Sequence, residues 1–314
     1  MADQADKLRA LASQIKAGAV PKGDPSVPEL RPFAKRRARV ITVSSGKGGV
    51  GKTNISINLA LAMRALGKEV LLFDADLGLA NIDVLLGMSP RYNLQHFMQG
   101  QKTLQEVVTE GPLGLRIIAS GNGISQLADL GSQERERMLS HFSLIEESAD
   151  IVIVDTGAGI SQNVIAFAMA ADECLVVTTP EPTARLDAYG LIKTLNQEGY
   201  LGTIRVIVNM AEDEKEGKEM GELMSTLARR FLNYHVEYLG YVPRDKSVLK
   251  AVSSQTPFTI AFPSSAASRA VQEIALRLND LKLPDEKNRE TGFKGFLERL
   301  GGSMRRSKKG GGDV

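Results

Sequence analysis

The run Gly46-Lys47-Gly48-Gly49-Val50-Gly51-Lys52-Thr53 sets glycines, lysines and a threonine in the spacing G-x-x-x-x-G-K-[ST]. Glycines at this density let successive backbone N–H groups converge on one anion, which bulkier residues would obstruct. The run stands between an apolar stretch, Val40–Val43, and an amphipathic one, Asn54–Leu66. It therefore reads as a strand, a loop and a helix N-terminus, the context a phosphate-binding loop requires. A helix opening at Asn54 would aim its dipole and first N–H groups at a phosphate. Lys52 can reach the β- and γ-phosphates of a nucleoside triphosphate, and Thr53 offers a hydroxyl to magnesium.

Carboxylates end two other apolar runs, in Phe73-Asp74-Ala75-Asp76-Leu77-Gly78 and Val154-Asp155-Thr156-Gly157-Ala158-Gly159. At the C-terminal edge of a parallel sheet such groups face the ligand crevice. Asp155 follows the apolar run Ile151–Val154, a costly place for a charge that has neither magnesium nor a hydrogen-bond partner. Asp74 reads equally well as a strand-end or cap residue. Gly157 and Gly159 would let a loop follow a γ-phosphate. Asn209 and Pro243 end the runs Ile204–Val208 and Tyr238–Val242. Both residue types commonly terminate strands, so a base-binding role stays open on the residues alone. Met210 and Ala211 follow Asn209, so the guanine-specifying N-K-x-D is missing and ATP is favoured over GTP.

The elements that must position these groups follow from the pattern around them. Residues 39–283 alternate β-branched runs with amphipathic stretches such as Ser161–Ala171 and Asp187–Glu198. The other runs are Val70–Phe73, Leu115–Ala119 and Cys174–Thr178. Several runs are continuously apolar, as strands buried on both faces should be. The order predicts an α/β fold, a mostly parallel twisted sheet flanked by helices on both faces. Ahead of it, residues 1–17 read as a short amphipathic helix with Asp3 as N-cap and Ala5, Leu8, Leu11, Ala12 and Ile15 at helical spacing. Residues 18–38 read as a linker, dense in proline and glycine and closing on Lys35-Arg36-Arg37. Residues 284–314 form a polar hinge, a short amphipathic block and a Lys/Gly-rich end.

Composition narrows the function classes. The 314 residues carry a formal net charge of +2, too small to imply wholesale nucleic-acid binding, and 43% of them are hydrophobic, enough for a sizeable core. Cys174 is the single cysteine, which excludes an intrachain disulfide or a Cys-x-x-Cys pair and suits a reducing compartment. His96, His141 and His235 are scattered and read as structural or solvated. The longest apolar stretches fall far below the ~20 residues of a membrane span. No apolar run follows a basic start, so no secretory signal is expected and the cytoplasm is the expected compartment.

The stretch SSGKGGVGKT, at 44–53, resembles the deviant Walker A signature of the MinD/ParA/nitrogenase-iron-protein superfamily. The resemblance to MinD-like proteins covers nearly all of residues 38–283. It implies a slow, regulatory ATPase with ATP/ADP and Mg2+ as cofactors. It further implies a homodimer when ATP-bound, in which Lys47 crosses to the partner's phosphates as an arginine finger does. Gly46 to Asn54 would form the cradle. Asp155 would be the Walker B aspartate and Asp76 would orient the attacking water, which puts Thr53, Asp76 and Asp155 around magnesium. Lys47, Lys52 and Asp76 become the catalytic candidates. Asn209 would bond adenine, with the backbone at Pro243–Arg244 flanking the ring.

Within that superfamily the runs at 53–87, 154–159, 181–193 and 242–252 are most similar to the FlhG/FleN family of flagellar-number ATPases. Asp3, Gln4, Ala5, Leu8 and Arg9 fit that family's DQAxxLR segment, which implies stimulation of a signal-recognition-type GTPase partner of the FlhF kind. Flagellar C-ring components and a flagellar transcription regulator are further partners by resemblance. Near the C-terminus a helix would align Phe293, Phe296, Leu297 and Leu300, followed by Arg305, Arg306, Lys308 and Lys309. An apolar face with a basic flank suits reversible binding to an anionic leaflet, or docking on the protein's own core. Membrane association would place the protein at the inner face of the cell membrane, at the cell pole. A MinD/ParA-type ATPase acting at the division site or in DNA partitioning is the alternative. The tail argues for membrane over direct nucleic-acid binding, and the N-terminal extension argues against a division-site role. A small-molecule kinase would need an acceptor site that the sequence does not display.

Overall fold

The computed structural model describes residues 38–76, 81–119, 148–281 and 292–310. The segment expected to be helical over 3–17, with Asp3, Gln4, Ala5, Leu8 and Arg9, lies outside the described residues. So do the linker up to residue 37, Leu77, Gly78 and the hinge at 284–291. Chain contacts separate Met1–Arg36 from Arg37–Val314, and the second unit holds every described element, the C-terminal helix included.

One sheet contains β1 (Arg39–Ser45), β2 (Val70–Ala75), β3 (Thr109–Glu110), β4 (Arg116–Ala119), β5 (Ile151–Ala158), β6 (Glu173–Thr178), β7 (Thr203–Ala211) and β8 (Val236–Pro243). The strand order is β3-β4-β2-β5-β1-β6-β7-β8. Every neighbouring pair is parallel except β3 with β4. The expected α/β class is therefore observed. Among the described strands only β3, too short to show an apolar run, is absent from the sequence reading.

β1, β2 and β6 are buried at every residue, because both faces are covered. Ile41 and Val43 turn to one layer, where α1 (Lys52–Ala65) and α10 (Ala266–Asp280) pack. Val40 turns to the other, beside α5 (Gln162–Ala170) and α11 (Gly292–Gly310). That second layer continues over β6 and β7 with α6 (Pro182–Gln197) and α7 (Glu214–Leu232). Short helices fill the connections: α2 (Ile82–Leu85), α3 (Leu94–Met98), α4 (Leu104–Val107), α8 (Lys246–Ser253) and α9 (Phe258–Ala261). Among the described residues no helix is long and apolar enough to cross a membrane.

The parallel strands all end toward one edge, and β1, β5 and β2 lie side by side there. This adjacency is what gathers the loop after β1 with Asp74 and Asp155; β5 continues past Asp155 to Ala158, so that carboxylate lies within the strand and not at its end.

Candidate nucleotide site

The loop between β1 and α1 is glycine-rich for separable reasons. A Cβ on Gly46 would stand 2.1 Å from the Asp187 carbonyl oxygen, so the loop passes α6 with no room for a side chain. Gly51 has φ 87, a left-handed conformation, and a Cβ there would lie 2.3 Å from Asn209 Nδ2. Gly48 and Gly49 would meet nothing, and they stay open to a ligand. No side chain caps the start of α1, which leaves its first N–H groups directed into the cleft. Gly48 to Asn54, Lys47, Asp76, Asn209, Pro243 and Arg244 all line this one cleft, of about 880 Å3.

Asn209 also does something the sequence did not suggest. Its Nδ2 donates to the Val50 carbonyl at 2.8 Å, tying the end of β7 to the phosphate-binding loop.

Asp155 lies below the cleft, 1% exposed, where its Oδ1 accepts from Lys52 Nζ at 3.0 Å and from Ser56 Oγ at 2.7 Å. Ser56 was missed, although it stands one turn beyond Lys52 on the same helix face, a spacing that could have revealed it. Asp74 is the register partner of Asp155 on the adjacent strand. Burial first, and the charge of Asp155 second, push the Asp74 carboxyl up to about 7. Its Oδ1 accepts from the Asp76 backbone N–H at 3.1 Å, so Asp74 does act as a strand-end cap, but as a buried and costly one.

A pH dependence follows. The folded chain holds the Asp74 proton more tightly than the unfolded chain, whose ordinary value is 3.8. The stability this carboxyl contributes is therefore complete below about pH 4 and is lost as pH rises through about 7. In metal- and nucleotide-free protein, Asp74→Asn should raise the urea midpoint at pH 8, by less at pH 5, and lose the advantage below about pH 4. An equal effect across this range would show that the Asp74 proton is not the cause.

Lys47 is held within its own chain. Its Nζ donates to Glu181 Oε1 at 2.8 Å and to Thr183 Oγ1 at 2.9 Å, at the start of α6. The Thr183 hydroxyl also donates to Glu181 Oε1, at 2.8 Å. The hydrogen bond from Lys47, then that from Thr183, holds the Glu181 carboxyl below the usual range. Neither Glu181 nor Thr183 had been singled out as a partner for this lysine.

Comparison with known proteins now bears on this geometry. A family model described as ParA, NUBPL iron-transfer P-loop NTPase, matches residues 36–279. Antiactivator FleN of Pseudomonas aeruginosa is 42% identical over 262 residues, which cover 83% of this chain and 93% of that protein. The chain belongs to the ParA/MinD family of P-loop ATPases, in its FleN/FlhG branch. The flagellum site-determining protein YlxH of Helicobacter pylori is 34% identical, over 85% of this chain and 90% of its own length. The solved MinC:MinD complex of Aquifex aeolicus aligns with a TM-score of 0.61 and 28% identity, over 80% of this chain and 99% of that one.

In this ParA/MinD ATPase the C-terminal block is helical, as expected, and its apolar face points inward. Phe293, Phe296 and Leu300 are 0% exposed and Leu297 is 3% exposed. Phe293 meets Phe73 edge-on with ring centroids 6.2 Å apart, and Phe296 stacks on Phe167 at the same separation. Arg299 Nε donates to the Ala170 carbonyl at 2.7 Å, and its Nη2 reaches Asp172 Oδ1 at 3.4 Å. In this conformation the face anticipated for lipid is occupied by the protein's own core, the docking alternative. The side chains of Arg305, Arg306, Lys308 and Lys309 lie outside the described residues.

Met210, read from the sequence only as a break in the N-K-x-D pattern, has a structural part of its own. It has φ 58, and the β7–β8 register shifts between Asn209 and Ala211, so Met210 is the extra residue of a bulge. Left-handed backbone costs a non-glycine residue of order 1–3 kcal/mol and persists where its surroundings enforce it.

Proposed function

We propose that this ATPase is a nucleotide-switched dimer that associates reversibly with anionic membrane and controls flagellar number and placement. The observation that carries the switch is the position of the docked tail. Phe73 directly precedes Asp74 on β2, with Asp76 just beyond the strand, and Phe167 lies on α5, the helix that follows Asp155 and Gly159. A shift of either acidic segment is thereby placed to loosen α11.

The residues present fit a magnesium nucleotide. The glycine loop leaves open space at Gly48 and Gly49, and Lys52 and Asp155 form one buried cation–carboxylate pair. Lys52 would hold β- and γ-phosphate oxygens in place of Asp155, and Thr53, Asp76 and Asp155 would hold the metal. Bound magnesium would neutralise charge on the phosphates. Asp76 orients the attacking water, while Asn209, Pro243 and Arg244 hold the adenine end. Lys47, released from Glu181 and Thr183, would supply a second subunit's phosphates with the cation that stabilises transfer.

Flagellar control is supported by the relatives named antiactivator FleN and flagellum site-determining protein, and the first name suits a transcription-regulator partner. Flagellar C-ring components remain part of this reading, as does stimulation of an FlhF-type GTPase by residues 3–17. The cytoplasm and the membrane's inner face at the cell pole are the proposed location. The iron transfer in the name of the matching family model has no cysteine ligand set here. The only cysteine in the sequence, Cys174, is fully buried in β6, where burial pushes its thiol up to about 11.

The test combines light scattering after size exclusion with flotation on anionic vesicles, for the parent and for Asp76→Ala. With MgATP, Asp76→Ala should turn over slowly, accumulate as dimer and float. With MgADP it should be monomeric and remain unbound. A protein that stays monomeric in both, or floats equally in both, would refute the switch.

A further inference from the structure

The strained bulge at Met210 lies where two cavities meet. The cleft described above, of about 880 Å3, and a second cavity of about 360 Å3 on the other flank of the phosphate-binding loop share Gly48, Gly49, Val50, Met210 and Arg244 as lining. Met210 therefore belongs to the partition between them. Its methyl group lies 3.7 Å from where a Cβ on Gly51 would stand, so it reaches the loop itself. Its neighbour Asn209 is tied to the Val50 carbonyl, and the backbone N–H of Arg244 donates to the Ala211 carbonyl at 2.7 Å. Those two bonds brace the chain on either side of the bulge. A bulge in a parallel pair interrupts the ladder, and bulges often serve to re-aim one side chain beside a functional site. Glycine would take this backbone without strain, yet a long thioether stands here.

We propose that Met210 is a base-positioning residue, its thioether forming a wall against which the purine ring packs at the Asn209–Pro243 end of the cleft. This rests on the reading of that end as the adenine site. A thioether suits the task because it is flexible, polarisable and favourable against an aromatic face. The same side chain touches the phosphate-binding loop, so a seated base would also press that loop into place.

The test separates base from phosphate. Met210→Gly keeps the backbone conformation and removes the side chain, and Met210→Ala removes the thioether while retaining a Cβ. Binding of MgADP, MgATP and magnesium tripolyphosphate is measured by calorimetry on the full-length chain, together with the thermal midpoint of ligand-free protein. Both variants should bind MgADP and MgATP roughly 2- to 12-fold more weakly, the range a sulfur–aromatic contact supplies. Tripolyphosphate, which carries no base, should bind as it does to the parent, and Met210→Gly should melt no lower. Parental affinity for MgADP in both variants would overturn the proposal. So would an equal loss for tripolyphosphate, because Met210 would then serve only to support the loop. If the parent bound tripolyphosphate and MgGTP as tightly as MgATP, the adenine-site reading itself would fail, a result distinct from either of these.

Discussion

Lys52→Ala should abolish detectable MgATP turnover, and it should also unfold more easily than the parent, for a reason separate from catalysis. The ammonium makes charge-assisted bonds worth ~1.5–3 kcal/mol each, so losing two at the phosphates weakens MgATP binding by about two powers of ten or more. The same lysine is the cation beside Asp155, with side chains 7% and 1% exposed. Removing one partner of a buried pair costs about 3–5 kcal/mol, because the other charge stays buried. Asp155 would keep the Ser56 hydroxyl but face Asp74 across the register with no cation between them. The double variant Lys52→Ala, Asp155→Asn separates the two effects. Urea denaturation should show much of the stability restored, while calorimetry shows nucleotide binding still lost. A single variant as stable as the parent would mean that the buried pair contributes little to the fold.

The fold was legible because its evidence is local. Strands buried on both faces must be apolar or nearly so; Val70–Phe73 and Ile151–Val154 are apolar throughout, and Val40–Val43 is broken only by Thr42. The phosphate-binding loop was legible for a related reason, since backbone N–H convergence demands glycine and fixes the spacing of Lys52. What escaped depends on register and on approaches between distant segments. Ser56 is informative only once β5 lies beside α1. Glu181 and Thr183 matter only because α6 passes close enough to Gly46 to exclude a Cβ. Met210 looks like an ordinary strand residue until the bulge assigns it a positive φ. The tail shows the same limit: spacing identified the apolar face of Phe293 to Leu300 and could not say whether protein or lipid would cover it.

Opening the dock from the core side should make vesicle binding independent of nucleotide. Phe167→Ala leaves every residue of α11 unchanged and removes the ring on which Phe296 stacks. A buried phenylalanine truncated to alanine costs roughly 3–5 kcal/mol, part of it contact with the docked helix. If about half is borne by docking, the equilibrium between docked and released tail moves by roughly one to two powers of ten. Flotation on anionic vesicles with MgADP should then approach what the parent reaches with MgATP, and should weaken with salt, since basic residues near a charged leaflet contribute about 1 kcal/mol each. Because Phe167 is also a core residue, Asp172→Asn provides a milder route. It lies beside the Arg299 guanidinium, and an asparagine oxygen can still accept the Val40 N–H now bonded at 2.9 Å. This variant should fold as the parent does and shift flotation in the same direction by a smaller factor. Truncation after residue 283 should abolish flotation in every background while leaving MgATP binding intact. If Phe167→Ala and Asp172→Asn both folded and still required MgATP to float to the parental degree, docking of α11 would not be what restrains the tail.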